Sequence, residues 1–408
     1  MYVFIRRMSH LRMRLVSLVL FGLVGTAHGD PAPRQLIDPT GHPAPPGKPA
    51  PPPRFASLID AAKALLVVGA CADGAVPANV KQATVDAHCK LIKATQADYK
   101  KSWLAVASPF FAANVPATVP KTVVYPFAGG DLSTALTVYP DADDITTLSL
   151  EPAGDATSLS RLSDKQLKKE LRTVEKELAS LYTSNYSVTM NMVDAMIVGE
   201  LPTQLIFSLS ALWIHGYEPV SMRYFTVNSD GTLAYLTDDD LAVEKIEDSI
   251  KRNQRMANVE IRFRKVGTKK QQTYRHIMAN LDDKHLKSTP GVLKYLETKG
   301  TIAAMTKAAS YLLSFDEFSA MRKYLVDHVV WMVSDSTGLA PSYGKSEGFE
   351  YETWGQFDKS NMRAGRNITP SWSAEYAAQP KRELKFRFGY PDSGNHGHLI
   401  IMRKTKKP

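Results

Sequence analysis

The chain has 408 residues, of which 44% are hydrophobic and 22% are charged. This balance allows a sizeable buried core and excludes a main body that is intrinsically disordered. The formal net charge is +9, and four of these charges belong to arginines between Met1 and Gly29. No recognised nucleic-acid-binding motif accompanies the remaining positive charge, so the sequence does not predict a nucleic-acid partner.

The segment Met1–Gly29 has the order of a secretory signal peptide. The charged part carries Arg6, Arg7, Arg12 and Arg14. An apolar run, Leu15–Gly25, follows and is too short to span a membrane comfortably. Small residues at Ala27 and Gly29 complete the pattern. We therefore expect an exported chain, periplasmic or extracellular, cleaved after Gly29 and without a transmembrane segment; an uncleaved anchor is the alternative.

Residues 30–54 form a segment rich in proline. Proline fixes φ and removes a backbone donor, so such a segment stays extended and semi-rigid. The composition predicts a linker between the signal peptide and the folded part of the chain.

The chain contains two cysteines, Cys71 and Cys89. In an exported protein, a single pair of cysteines at this separation is typical of one disulfide. Closing a loop of this size contributes about 3 kcal/mol. A metal pair or a redox pair is the less favoured alternative, because the spacing is not CxxC.

Residues 55–118 have apolar positions at helical spacing, which predicts a helical segment packed on the main domain. From residue 119 to 408, predicted strands alternate with predicted helices, and this alternation indicates an α/β fold. Two antiparallel pairs are expected: a basic β-hairpin insertion near 251–280, and a closing pair formed by "LKFRFGY" and "HLIIMRK". We predict a Rossmann-like mixed sheet, mostly parallel, with this antiparallel hairpin at its C-terminal end and helices on its flanks.

Positive charge is concentrated in two segments. Residues 251–275 carry nine Lys and Arg against one acid, and residues 381–407 carry eight against two. A basic face can bind phosphate, lipid headgroups or acidic polysaccharide. A solvated strand face and a loose tail are the simpler interpretation.

A glycine turn in "YPFAGGD" is the strongest indication of a ligand site. Gly129 and Gly130 lie between a predicted strand and a helix, and Asp131 stands at the start of that helix. Glycines let the backbone approach a ligand, and the helix start offers unpaired N–H groups. Glu151 follows the next strand, where an acid can accept hydrogen bonds from ribose hydroxyls. Asp131 would repel a pyrophosphate but would tolerate a cationic ligand.

"YPFAGGD" and "LEP" resemble the first two motifs of class I S-adenosylmethionine-dependent methyltransferases, and the closing strand pair is similar to the end of their sheet. The resemblance implies that Phe127, Gly129 and Asp131 line the methionine end of the cofactor and that Glu151 holds its ribose. Tyr125 replaces the usual acid at the strand end, and no "DPPY" or "NPPY" motif is present.

A broader set of motifs, "VVYPFAGGD", "LSLEPAG", "VSDSTGLAP" and "LKFRFGY", resembles a family of uncharacterised secreted bacterial proteins. This resemblance covers most of residues 98–404. It implies export but no particular activity.

Asp335 lies in "SDSTG", directly after a predicted strand. Since strand ends of an open α/β sheet face one crevice, Asp131, Glu151 and Asp335 are candidates for a shared cleft. His396 and His398 form an HxH pair without an obvious third ligand, so no metal is predicted. Two functions follow, and some other enzyme, such as a hydrolase, is a further alternative that no motif supports. The first is a non-methylating exported protein that binds a small ligand or an anionic surface partner. The second is a methyltransferase-like enzyme that uses S-adenosylmethionine in that cleft.

Overall fold

A ten-stranded mixed sheet is the centre of the fold. The computed structural model describes residues 57–185, 199–242, 248–356, 372–380, 382–389 and 397–405, all within the compact unit Pro53–Pro408. The predicted signal peptide and the linker up to residue 54 lie outside the described residues. The strands are β1 (Thr122–Pro126), β2 (Asp144–Ser149), β3 (Tyr217–Val227), β4 (Leu233–Tyr235), β5 (Asn258–Lys265), β6 (Gln271–Met278), β7 (Ile302–Thr306), β8 (Val329–Ser334), β9 (Phe349–Gly355) and β10 (His398–Lys404).

Helices cover the sheet. The helices within the described residues are α1 (Leu58–Val68), α2 (Gln82–Tyr99), α3 (Ala105–Asn114), α4 (Leu132–Val138), α5 (Asp164–Ser184), α6 (Thr203–Ile214), α7 (Ser249–Arg255), α8 (Asp283–Ser288), α9 (Gly291–Glu297), α10 (Ser319–His328), α11 (Pro341–Ser346) and α12 (Trp372–Ala377). Short 3₁₀ segments at Ala156–Ser160 and Ala308–Ser314 follow β2 and β7. None of the described helices is both long and apolar enough to cross a membrane.

The strand order is β4-β3-β5-β6-β2-β1-β7-β8-β10-β9. Neighbours from β6 to β8 are parallel, and the pairs outside this section are antiparallel. From β1 the chain first adds β2 and β6 on one side, and then β7 and β8 on the other. The order therefore reverses between β1 and β7, which places a crevice at the carboxyl ends of these two strands. The predicted α/β fold, with a mixed sheet that is parallel in its middle, is therefore confirmed.

Side chains alternate between two cores along the central strands. In β1, Val123 and Tyr125 belong to one hydrophobic cluster, and Val124 belongs to the other. This period of two is what a strand buried on both faces requires. Residues of α1 to α6 join the first cluster, and residues of α8 to α12 join the second. The sheet is thus sandwiched between two layers of helices.

The N-terminal helices carry the predicted disulfide. Cys71, just after α1, is bonded to Cys89 on α2, with an S–S distance of 2.09 Å. His88 and Gln96 on α2 also contact the end of α1, through the backbone oxygens of Gly69 and Ala70. The disulfide prediction is confirmed, and it ties the first two helices together.

The closing antiparallel pair differs from the prediction in its partner. β10 pairs with β9 on one side and β8 on the other. The segment 384–389 does not form a strand. Its aromatic side chains Phe386 and Phe388 instead pack against Phe111, with ring centroids 5.7 and 5.9 Å apart. The prediction of a strand there was wrong, because the apolar alternation serves packing on a helix. The predicted basic hairpin is present as β5 and β6, and these strands also pair with β3 and β2 as members of the central sheet.

Candidate functional site

Two strained turns lie at the carboxyl ends of β1 and β7. Phe127 follows β1 with φ 59°, and Ala308 lies just beyond β7 with φ 55°. A non-glycine residue in the left-handed region costs about 1–3 kcal/mol and persists only where its surroundings hold it. Such strain concentrates at functional sites, and here it lies where the strand order reverses.

The glycine turn after β1 is covered by helix α6. A Cβ atom on Gly130 would lie 2.2 Å from Cδ2 of Phe207, so only glycine fits there. The Gln204 side chain donates from Nε2 to the backbone oxygen of Gly129 at 3.1 Å. Phe207 and Gln204 therefore occupy the space in which the sequence predicted a ligand beside Gly129 and Gly130.

Asp131 is part of a buried ion pair. Its Oδ1 accepts hydrogen bonds from the backbone N–H of Thr134 at 3.2 Å and from the hydroxyl of Thr134 at 2.7 Å, which caps α4. Its Oδ2 accepts from the hydroxyl of Tyr125 at 3.1 Å and contacts Nζ of Lys307. The Asp131 and Lys307 side chains are 4% and 2% exposed. The cation that Asp131 would attract is thus supplied by the protein itself.

Lys307 has two further partners at this point. Its Nζ donates to the hydroxyl of Thr134 at 3.1 Å and to Oδ1 of Asn185 at 3.3 Å. Asn185 ends helix α5 in the left-handed region, and its Oδ1 also accepts from the backbone N–H of Gly389 at 3.2 Å. We call Asp131, Thr134, Asn185 and Lys307 the switch-point cluster, because they lie where the strand order reverses. The cluster connects the residues after β1 with the end of α5 and the residue after β7.

Asp335 supports the strained turn at Ala308. Its Oδ2 accepts from the backbone N–H of Ala308 at 2.9 Å, and its Oδ1 accepts from the backbone N–H of Thr337 at 2.9 Å. Asp335 and Asp131 both raise the pKa of Tyr125, although burial of the phenol is the larger cause. Asp335 therefore lies near the switch-point cluster, and its carboxylate holds the backbone of the two turns that contain Ala308 and Thr337.

Glu151 has a different environment. Its side chain is fully buried, and neither carboxyl oxygen has a hydrogen-bond partner of good geometry. Burial raises the pKa of Glu151; the Ser149 hydroxyl and nearby backbone N–H groups lower it only in part. By the same measure, the hydroxyl of Ser149 and Oε1 of Gln204 are buried without a hydrogen bond of good geometry. Buried polar groups are almost always paired, so unpaired ones at a strand end indicate a place for water or a polar ligand.

His276 on β6 lies beside Glu151. Its Nε2 is 2.7 Å from the backbone oxygen of Glu151, so this nitrogen carries the hydrogen. Nδ1 then accepts from Nε2 of Gln204 at 3.3 Å, and it also lies 3.2 Å from the hydroxyl of Thr147. Burial lowers the pKa of His276 to about 4, which keeps the ring neutral near physiological pH. His276 therefore orients the backbone at Glu151 without adding charge.

Replacing Glu151 by glutamine is expected to change the pH dependence of stability. A carboxyl whose pKa is raised by burial destabilises the fold as pH rises from its unfolded value, 4.5, through the raised value. Glutamine carries no such charge, so Glu151→Gln is expected to gain about 1–3 kcal/mol over the wild type near neutral pH. Near pH 4 the two chains should be of about equal stability.

Urea unfolding of both chains at several pH values measures this difference. Glu297→Gln is the matched control, because Glu297 is exposed on α9. A constant difference between wild type and Glu151→Gln across the pH range would show that Glu151 is not ionised in a buried site.

The predicted site residues thus fall into two groups. Phe127, Gly129, Gly130 and Asp131 surround the glycine turn, and Asp335 lies near them. Glu151 shares none of the contacts described for Asp131 and Asp335. Lys307 was not predicted from the sequence, although it lies directly after a strand, which is the signal that singled out Asp335. Gln204 and Phe207 had no comparable signal, because helix α6 is mostly apolar and neither residue directly follows a strand.

The residues fit S-adenosylmethionine only in part. An unpaired acid after β2 suits a ribose, as the resemblance implied. The methionine end would need the space beside Gly130 and Asp131, which Phe207 and Lys307 fill. Within the described residues, no group of three His, Cys, Asp or Glu side chains is arranged to hold a metal ion. His398 lies on β10 with Nδ1 2.9 Å from the Ser336 hydroxyl, and His396 lies outside the described residues.

Many charges of the two basic segments are paired with acids or rings. On the hairpin, Arg264 pairs with Glu218 and Lys270 pairs with Asp143, both at 2.7 Å. Further pairs are Arg252–Glu200, Arg255–Asp240, Arg275–Glu260 and Arg403–Glu352, and Arg382 lies over the ring of Trp354. The ion pairs offset part of the positive charge that the sequence concentrates there.

Comparison with known proteins does not supply a function. No family model matches the chain, and neither a curated protein nor a solved structure matches it significantly. A functional proposal therefore rests on the geometry at the ends of β1, β2 and β7.

Proposed function

We propose that this chain is an exported, Rossmann-like protein that does not transfer methyl groups and that binds a small polar ligand at Glu151. The observation that carries the proposal is the fully buried Glu151 carboxyl at the carboxyl end of β2, which has no hydrogen-bond partner of good geometry. A buried group that lacks a partner costs about 1–3 kcal/mol. A ligand that supplies hydroxyl groups there would offset this cost.

The sheet supports the Rossmann-like part of the proposal. Numbered along the chain, the parallel section β6-β2-β1-β7-β8 has the doubly wound order 3-2-1-4-5. In sheets of this order, the acid after the second strand is the one that accepts from ribose hydroxyls. Glu151 has that position, so a ligand with two neighbouring hydroxyls, such as a ribonucleoside, suits it best.

Two contacts argue against methyl transfer. The ring of Phe207 lies against Gly130, and Lys307 pairs with Asp131. Both occupy the volume that the methionine end of S-adenosylmethionine would need. The methyltransferase-like alternative with Asp131, Glu151 and Asp335 in one cleft requires these side chains to move. A surface role toward anionic polysaccharide is also less favoured, because acids pair with Arg264 and Lys270.

Export is proposed on two grounds. The first is the charged, apolar and small-residue order of the segment Met1–Gly29. The second is the Cys71–Cys89 disulfide, a bond that persists in oxidising compartments.

Ligand binding is tested by calorimetry and thermal unfolding with adenosine, 2′,3′-dideoxyadenosine and S-adenosylmethionine. Adenosine is expected to bind and to raise the unfolding temperature, whereas the dideoxy compound is not, because it lacks the hydroxyl pair. A ligand at 100 times its Kd adds about 2.7 kcal/mol to the free energy of unfolding. Glu151→Gln should lose this gain, and the control Glu297→Gln should keep it.

Two results would contradict the proposal. Micromolar binding of S-adenosylmethionine that is lost in Glu151→Gln would favour the methyltransferase. Equal binding and equal shifts of the unfolding temperature with adenosine and dideoxyadenosine would show that Glu151 is not part of the binding site.

A further inference from the structure

We propose that Lys307 and Asn185 become joined by an intramolecular isopeptide bond. The two side chains meet in the switch-point cluster, where Nζ of Lys307 lies 3.3 Å from Oδ1 of Asn185. A lysine amine held against a side-chain amide is the arrangement from which such a bond forms. The inference does not depend on the ligand proposed at Glu151.

Burial brings the reacting groups together and excludes water. Lys307 and Asn185 are each 2% exposed, and the Phe388 ring lies 5.6 Å from Nζ of Lys307. Two groups held close together in a fixed geometry react as fast as if each were present at a very high concentration. Exclusion of water also protects the product amide from hydrolysis.

Asp131 is placed to move the protons. Its carboxylate contacts Nζ of Lys307 and accepts from the hydroxyl of Thr134 at 2.7 Å. That hydroxyl in turn accepts from Nδ2 of Asn185 at 3.3 Å. Transfer of a proton from the ammonium to Asp131 neutralises two buried charges, which a dry environment favours. A second proton, lost from the attacking amine, can then reach the leaving nitrogen through the hydroxyl of Thr134, which lies between Asp131 and Nδ2 of Asn185.

Gly389 supplies a donor for the developing charge. Its backbone N–H donates to Oδ1 of Asn185 at 3.2 Å. When the amine attacks Cγ of Asn185, negative charge develops on this oxygen, and a fixed backbone donor stabilises it.

The step balances without any added reagent. The Nζ–Cγ bond forms, the Cγ–Nδ2 bond of Asn185 breaks, and Nδ2 leaves as ammonia. Nζ loses two protons in all: one stays on the Asp131 carboxylate and the other passes to the leaving nitrogen, so the charges of the starting ion pair end in neutral products. No atom is oxidised or reduced. The product links the end of α5 to the residue after β7.

Intact-mass measurement of the reduced and denatured full chain tests the proposal. The expected mass is about 17 Da below that of the sequence, the mass of one ammonia. Proteolysis should yield a branched peptide that contains both Lys307 and Asn185. Lys307→Arg and Asp131→Asn should each restore the full mass.

Lys299→Arg is the matched control. The Lys299 side chain is 6% exposed and pairs with Asp144 at 2.7 Å, but it lies outside the switch-point cluster, so its replacement should leave the mass loss unchanged. A wild-type mass equal to that of the sequence would overturn the proposal. A mass loss that maps to a succinimide at Asn185, with Lys307 free, would overturn it as well.

Discussion

Relative to chains whose Lys307 amine is free, Lys307→Met is expected to lower the free energy of unfolding by about 3–5 kcal/mol, because it leaves the Asp131 carboxylate buried without its cation. The loss should appear as a lower midpoint of urea unfolding with an unchanged slope.

The double variant Lys307→Met, Asp131→Asn is the control for this result. Asparagine removes the charge but keeps an oxygen that can accept from the backbone N–H of Thr134. The double variant should therefore be more stable than Lys307→Met alone. Both chains lack the Lys307 amine, so the comparison isolates the cost of the charge whether or not the isopeptide bond forms. A double variant that is no more stable than the single one would show that Asp131 carries no buried charge.

Phe207→Ala is expected to cost about 3–5 kcal/mol, the usual range for removing a buried aromatic ring. Phe207 is 1% exposed, and its ring lies against the glycine turn. Urea unfolding measures the loss, and Phe207→Leu should lose less because it leaves a smaller cavity.

A double-mutant cycle tests the contact itself. In the wild type, Gly130→Ala places a methyl group 2.2 Å from Cδ2 of Phe207, so it should be severely destabilising. In the Phe207→Ala background the same change should cost little, because the cavity accommodates the methyl group. Additive losses in the cycle would mean that Phe207 does not pack on the turn.

The part of the fold that could be predicted from the sequence is local. The unit from β1 through α4 to β2 has a strand, a diglycine turn and a capped helix close together in the chain, and each carries its own signal. The partner of β10 could not be predicted in this way. Leu384–Gly389 and Phe349–Gly355 both alternate apolar and polar residues, and only the packing of Phe386 and Phe388 decides between them.

In the candidate site, too, the local features could be predicted and the long-range contacts could not. Asp131, Glu151 and Asp335 follow strands, so their positions at the sheet edge could be predicted. Their partners could not, because Lys307 and Asn185 come from segments far apart in the chain. Nor does the sequence reveal that Glu151 lacks a partner, since this depends on every side chain around it.

The position of β1 has a consequence for how the chain acquires its structure. This strand ends at Pro126 and lies between β2, which begins soon afterwards at Asp144, and β7, which begins only at Ile302. During synthesis, the hydrogen bonds between β1 and β7 can therefore form only after the chain has been made as far as Thr306. Pairing over such distances folds slowly, so fragments that end before β7 should stay unfolded and prone to aggregation.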